Sequence, residues 1–152
     1  MFNENTWKDG EKKAQQFLRK NGYKILYTNF SCVGVELDIV SVFSIRKQLK
    51  ILKQELKGKL LDCKSKNEKH ILKENYKNIT NKMQPILIIT EVKSRSSDKF
   101  GKGFDSISEA KKKNIKRGAK FLLKNPKFSN MQVRFDVASV DGDVLTYIEN
   151  AF

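Results

Sequence analysis

The stretch ILIITEVKSR, residues 86–95, constrains the architecture of this chain more than any other segment. Ile86 to Thr90 make up its most apolar run and read as a buried strand. Side chains two apart on a strand share a face, so Glu91 and Lys93 point to one side and Val92 to the other. Two readings stand for that pair of opposite charges. It is a solvated salt bridge where the strand leaves the core, a common and weak surface feature, or it is a metal-ligand carboxylate beside a catalytic lysine. What else in the chain points at the same spot decides between them.

The remaining elements follow from spacing. Thr6-Trp-Lys-Asp9 has the form of a capping box opening a helix whose apolar stripe is Trp7, Ala14 and Leu18, with Phe17 beside it. Glu11 falls on that same stripe, where a carboxylate is expensive unless it is paired or metal-bound. Asn21-Gly22 ends the helix and YKILYTNF follows as a strand. In the next strand, VELDIVSV, residues 35–42, Glu36, Asp38 and Val40 are expected on one face and Val35, Leu37 and Ile39 on the other. Past ILIITEVK, SRSSDKFGKGF reads as a loop, and Ser106-x-x-Glu109 as a second capping box. The helix it opens carries Ile107, Lys111, Ile115, Ala119 and Leu122 on one stripe, so Lys111 is a cation on an apolar face, snorkelling or functional. MQVRFDVASV and VLTYIENAF close the chain as strands around an Asp141-Gly142 turn.

Residues 44–84 interrupt this pattern. Ile45, Leu49, Leu52, Leu56 and Leu60 recur at helical spacing, as do Leu72, Tyr76, Ile79 and Met83, which predicts two amphipathic helices joined near DCKSKNEKH. The coarse order is αββ-(inserted αα)-βαββ, a single domain over residues 1–152 with a lysine-rich helical insertion. Of the net charge of +14, from 31 basic and 17 acidic residues, +8 lies in that insertion. So basic a chain suits a polyanionic partner, nucleic acid before membrane. No run is long enough to span a bilayer and the start has no signal-peptide core, so a cytoplasmic protein is expected. Cys32 and Cys63 form no CxxC pair, and His70 is the only histidine, which leaves too few ligands for a Cys/His zinc site.

Glu11, Asp38, Glu91, Lys93 and Lys111 are thus polar residues at positions where apolar ones are expected. Together they are the parts of a magnesium-dependent phosphodiesterase. Carboxylates from neighbouring strands hold a hard cation; without it they repel, and one tends to take up a proton. A lysine alongside orients water or neutralises developing charge.

Asp38 followed by ITEVK resembles the PD-(D/E)XK signature of the restriction-endonuclease-like superfamily, which includes Holliday-junction-resolvase-like enzymes, and the chain resembles more specifically its YraN-type family. The likeness runs through GEKKAQQFLRKNGYKIL, ELDIV, TEVKSRSSDKFG, the helix with Ile107 and Lys111, RFDV and the terminal NAF, nearly everything outside residues 44–84. It implies an α/β (α+β) restriction-endonuclease-like core, a central mixed β-sheet flanked by helices, and nuclease chemistry with Mg2+ or Mn2+. By that resemblance Glu11 matches the first-helix glutamate, Asp38 the metal-ligand aspartate, Glu91 and Lys93 the ExK pair, and Glu36 the glutamate of a GEIDL-type strand. The implied catalytic set is Glu11, Asp38, Glu91, Lys93 and Lys111, with Asp38 and Glu91 on the metal. Lys93, Arg95, Lys99, Lys102 and Lys111 are the expected nucleic-acid contacts. Arg134 and Asp136 match the family's RFD and read equally as a buried structural pair.

Two departures stand out. Val35 occupies the place of the glycine that precedes the strand's glutamate, with Gly34 one residue earlier, and Glu91 follows Asp38 by 53 positions where the family has a short turn. An insertion of that size either covers the site or stands beside it. Three functions remain open: a metal-dependent nuclease acting on DNA, branched DNA and RNA included; a non-catalytic nucleic-acid-binding module; and an interaction protein that docks a partner or a second copy through residues 44–84.

Overall fold

A computed structural model describes the backbone of residues 4–95 and 107–152 and the side chains of residues 8–94 and 107–152. The elements are α1 (Glu4–Lys20), β1 (Lys24–Cys32), β2 (Val35–Phe43), α2 (Ile45–Asp62), α3 (Lys66–Asn81), β3 (Ile86–Arg95), α4 (Glu109–Leu123), β4 (Gln132–Asp141) and β5 (Val144–Ile148). This is the order expected from spacing. The five strands form one mixed sheet in the order β1-β2-β3-β4-β5, antiparallel except for the parallel β3–β4 pair. Parallel neighbours need a long crossover, which α4 supplies.

The sheet is buried on both faces. Ile115, Ala119 and Leu122 of α4 pack with Val35, Leu37, Val40, Leu87 and Ile89 on one side. Ala14 and Leu18 of α1 pack with Ile39, Phe43, Ile88 and Val92 on the other. The apolar run of β3 is therefore explained: successive residues alternate between two cores. In β2 the expected alternation fails. Val40 joins Val35 and Leu37 under α4, while Ile39 turns to α1, so the regular period of two is interrupted at Asp38. Asn29 lies opposite, between the paired positions Thr28↔Ile39 and Phe30↔Leu37, and has a left-handed φ of 50°. Asparagine adopts that region more readily than most residues.

Both helices approach the sheet closely through a glycine. A Cβ on Gly118 would lie 2.9 Å from Leu37 Cδ2, and one on Gly10 would lie 2.8 Å from Ser94 Cβ. Gly10 thereby sets α1 against β3 one residue before Glu11. Gly10→Val is expected to push the helix off the strand and to cost about 2 kcal/mol, in the range of overpacked cores. A urea midpoint indistinguishable from wild type would show that the contact relaxes freely.

Several local expectations shift. α1 is already helical at Glu4, so Thr6 lies inside the helix instead of capping it. The N-cap of α4 is Ser108, whose hydroxyl accepts from the Lys111 N–H, in place of the expected Ser106, which lies outside the described residues along with the loop before it. Capping at Ser108 leaves Ile107 ahead of the helix, where it is buried. The β4–β5 turn is Gly142-Asp143, closed by the Asp141↔Val144 pair, one residue beyond the expected turn. Gly34 is the second residue of the β1–β2 turn, with φ 70°, and Val35 begins β2 as a buried residue.

Residues 44–84 fold as the expected helical hairpin. Ser44 caps α2, and Ser65 forms a capping box with Glu68 on α3. Leu52, Leu56 and Leu60 of α2 and Leu72 and Tyr76 of α3 are half-buried along the seam. Ile79 is exposed where the spacing placed it on the seam, and Thr80, a four-residue step from Tyr76, is half-buried in its stead. Neither helix has a fully buried residue. The hairpin is tied to the sheet at its base, where Gln48 Nε2 donates to the carbonyls of Phe43 (3.2 Å) and Gln84 (3.0 Å). Among the described residues no helix is long and apolar enough to cross a membrane.

Candidate active site

The β2–β3 ladder runs from Phe43↔Ile86 to Ile39↔Thr90 and stops, whereas β3 stays paired to β4 as far as Arg95↔Asp141. Beyond Thr90 the two strands therefore form a fork. Asp38 occupies it. Its Oδ2 accepts the Val92 N–H at 2.7 Å, so a side chain takes the acceptor place that a strand carbonyl would otherwise fill. Interrupting the alternation at Asp38 is what brings the carboxylate to that donor.

Glu91 is the next residue of β3 beyond the last ladder pair, and its carboxyl is hydrogen-bonded to that of Asp38. Lys111, from the first turn of α4, reaches Glu91 Oε2 at 3.1 Å. The cation on the apolar stripe of α4 thus meets a half-buried acid, beyond any snorkelling of its stem. Burial, and then the Asp38 charge, push the Glu91 carboxyl up to about 7 against the pull of Lys111. Burial also raises Asp38, opposed by the Val92 N–H and by Lys111. Two carboxyls this close in a desolvated place resist being ionised together.

Glu11 comes from α1 on the other side of the sheet and is buried. Its Oε2 accepts from Asn29 Nδ2 at 3.0 Å, which gives the left-handed Asn29 its role, while Oε1 is buried with no hydrogen-bond partner among the described residues. Burial raises the Glu11 pKa, with smaller contributions from the Asp38 and Glu36 charges. Asn29 was missing from the expected site. The only sequence signal for it is an asparagine, a poor strand former, in the middle of a strand pattern.

Of the other expected residues, Lys93 lies two positions beyond Glu91 on the same side of β3, half-buried. Glu36 is exposed near the start of β2. Arg95 ends β3, but its side chain, and Lys99 and Lys102 altogether, lie outside the described residues. The structure thus brings Asp38, Glu91 and Lys111 into contact, with Glu11 close enough to feel the Asp38 charge. Among the described residues no three His, Cys, Asp or Glu side chains converge closely enough to hold an ion by themselves. An all-oxygen pair such as Asp38 and Glu91 fits a magnesium-type ion, which uses one or two carboxylates and completes its shell with water.

Arg134 and Asp136 stand apart, in a network built to be rigid. Asp136 is fully buried and accepts from Arg134 (Nη2 at 2.7 Å, Nε at 2.9 Å), Tyr147 Oη (2.7 Å) and the Asn150 N–H (2.9 Å). Arg134 also donates to Tyr23 Oη and Glu149, and Tyr147 Oη lies 3.1 Å from Thr90 Oγ1, the residue before Glu91. Burial, with the Glu149 carboxylate, pushes the Tyr23 phenol up to about 12. The pair is structural, and it anchors β3 immediately before the fork.

The model of the uncharacterised protein family UPF0102 matches residues 10–58 and 45–140, its two segments overlapping within α2, where the inserted hairpin begins. A UPF0102 protein of Clostridium acetobutylicum is 31% identical over 149 residues, covering 94% of this chain and 89% of the relative. That of Caldicellulosiruptor saccharolyticus is 29% identical, covering 94% and 92%. That of Persephonella marina is 28% identical over 152 residues, covering 100% and 97%. With the family pattern spanning both halves of the sheet and the fork between them, the chain belongs to UPF0102, the YraN-like family.

Proposed function

We propose that this protein is a Mg2+- or Mn2+-dependent nuclease of the PD-(D/E)XK type that hydrolyses phosphodiester bonds in DNA. The observation that carries the reading is the hydrogen-bonded Asp38–Glu91 carboxyl pair in the fork, Asp38 buried and Glu91 half-buried, with Lys111 against Glu91. Burying two like charges side by side destabilises a fold, so a structural role alone does not account for them.

A divalent ion held by Asp38 and Glu91 would supply Lewis acidity toward phosphate oxygen and a more acidic water. The chain's own residues do the rest. The Val92 N–H holds one oxygen of Asp38 and fixes the carboxylate's orientation. Lys111 neutralises Glu91 and, from the exposed edge of the site, screens charge that develops on phosphate. Lys93, one pleat along, orients the attacking water. Glu11, with one carboxyl oxygen unpartnered among the described residues, supplies a proton acceptor from the α1 side.

The test is cleavage of labelled linear, single-stranded, flapped and four-way DNA, and of RNA, with magnesium, manganese or EDTA. Metal-dependent cutting by the wild type that disappears in Asp38→Ala and in Lys93→Ala is expected, with binding retained. Full cleavage by either variant rules the mechanism out. Binding that is indifferent to both metal and Asp38→Ala supports a non-catalytic nucleic-acid-binding module instead.

A further inference from the structure

Eight basic residues of the inserted hairpin line one side of it, while Lys47 and Lys59 of α2 lie off that side. On α2, Arg46, Lys50, Lys53 and Lys57 follow one another at steps of four, three and four, a single stripe along the helix, and all four are exposed. On α3, Lys66, Lys69, Lys73 and Lys77 do the same at steps of three, four and four, again all exposed. Each stripe runs next to the seam: Lys53 and Lys57 each follow a seam leucine by one residue, and Lys73 and Lys77 follow Leu72 and Tyr76.

Handedness then places the two stripes together. In a right-handed helix the residue after a seam position is turned about 100° from it, always in the same sense along the chain. Two helices joined by Cys63–Ser65 run in opposite directions, and reversing one of them carries its turn to the same side as its neighbour's. Both cation stripes thus face one side of the hairpin. By the same geometry Ile51 and Glu55 of α2 and Ile71 and Asn75 of α3, each just ahead of a seam position, face the other. Of the insertion's acidic residues, Glu55, Asp62 and Glu68 turn to the seam or beyond it, and Glu74 to the outer edge of α3; none stands within the paired stripes.

We propose that this face binds the phosphate backbone of nucleic acid. Each stripe covers about 16 Å of helix, and duplex DNA presents one phosphate charge per about 1.7 Å of its axis. Eight cations on two ridges match the roughly nine charges in that length. The face holds no aromatic side chain among the described residues, and its one large apolar side chain, Leu61, stands at the loop end of α2, one step of four beyond Lys57. Protein interfaces are depleted in lysine at their centres, so a face whose centre is lysine is a poor protein-docking surface. A second copy would bring like charge against like. The hairpin leaves the sheet at the Phe43↔Ile86 end of the ladder, away from the fork, so bound nucleic acid there does not occlude Asp38. The binding face does not depend on the fork being catalytic.

The experiment measures anisotropy of a labelled duplex about two helical turns long, in EDTA, across a salt series, with the full chain. One variant combines Lys50→Gln, Lys53→Gln, Lys73→Gln and Lys77→Gln. A charge-matched control combines Lys113→Gln, Lys116→Gln and Lys120→Gln on α4 with Lys124→Gln at its C-cap, and a rescue variant carries arginine at the four hairpin positions. Each phosphate contact contributes about 0.9 to the salt slope, so the hairpin variant is expected to lose up to about 3.6 from the slope and at least about tenfold in affinity. The α4 control loses far less, and the arginine variant binds like wild type. Equal losses in the two glutamine variants, failure of the arginine rescue, or no binding of duplex by the wild type overturns the proposal. So does a dimer, read by light scattering, that the hairpin glutamines dissolve. Because EDTA suppresses cleavage, failure of the nuclease reading leaves this result intact.

Discussion

Asp38→Asn is expected to abolish the proposed metal-dependent cleavage and, in EDTA at pH 8, to make the protein more stable than wild type by about 2 kcal/mol. The second effect follows from the fork. The Glu91 carboxyl is pushed up to about 7 by burial and by Asp38. The unfolded chain releases that proton near its ordinary value of 4.5. Between those values the native state binds more protons than the unfolded state, so stability falls as pH rises from about 4.5 to about 7, and stays lower above it. The destabilisation is absent below that window and complete above it. Asparagine keeps an oxygen for the Val92 N–H but removes the charge facing Glu91, so the Glu91 pKa drops and the pH dependence flattens. Urea denaturation at pH 5, 6, 7 and 8 measures both. A variant that is less stable at pH 8 and as pH-dependent as wild type would mean that Asp38 serves the fold and not a site. Saturating magnesium should recover stability in the wild type alone, because an ion that binds only the native state stabilises it by mass action.

Asp136→Ala is expected to have the largest effect on folding itself. The change leaves the Arg134 guanidinium, a Tyr147 hydroxyl and the Asn150 N–H without their shared acceptor in a place closed to water. Removing one partner of a buried ion pair costs about 3–5 kcal/mol, a large part of the roughly 5–15 kcal/mol that holds a domain of this kind together. The urea midpoint should fall steeply, to the point of partial unfolding at 37 °C. Arg134→Lys should also destabilise, because an ammonium cannot reproduce the forked contact to Asp136. A loss under about 1 kcal/mol for Asp136→Ala would place the network outside the stability core.

The sequence made some of these parts legible and hid others for physical reasons. Glu91, Lys111 and Glu11 were visible because strands and helices repeat at fixed periods, and a charge on an apolar stripe stands out against them. Asp38 was visible for the same reason, yet its mode of presentation was not. The interruption that turns Val40 to the α4 side and Asp38 to the Val92 N–H depends on β1 opposite, where Asn29 takes a left-handed φ that no periodicity announces. The Arg134–Asp136 network was ambiguous because its other members, Tyr23, Tyr147 and Glu149, come from distant parts of the chain. The α4 start was ambiguous because Ser106 and Ser108 both precede plausible first turns, and burial of Ile107 favours the later one. The hairpin was legible as two helices, while its two-sidedness emerges only once the seam is known.

The connection between β2 and β3 has a further consequence. Phe43 and Ile86 are paired antiparallel neighbours, so the shortest turn and a forty-residue excursion close the same two strands. Lengthening such a connector costs only about 0.6 kcal/mol per doubling, and the helices it contains supply packing of their own. The arm is thus an appendage that can be gained, lost or recharged while the carboxylate fork, held by the opposite ends of the same strands, stays as it is. In a chain organised this way, the chemistry proposed for the fork and the grip proposed for the arm are free to change at separate rates.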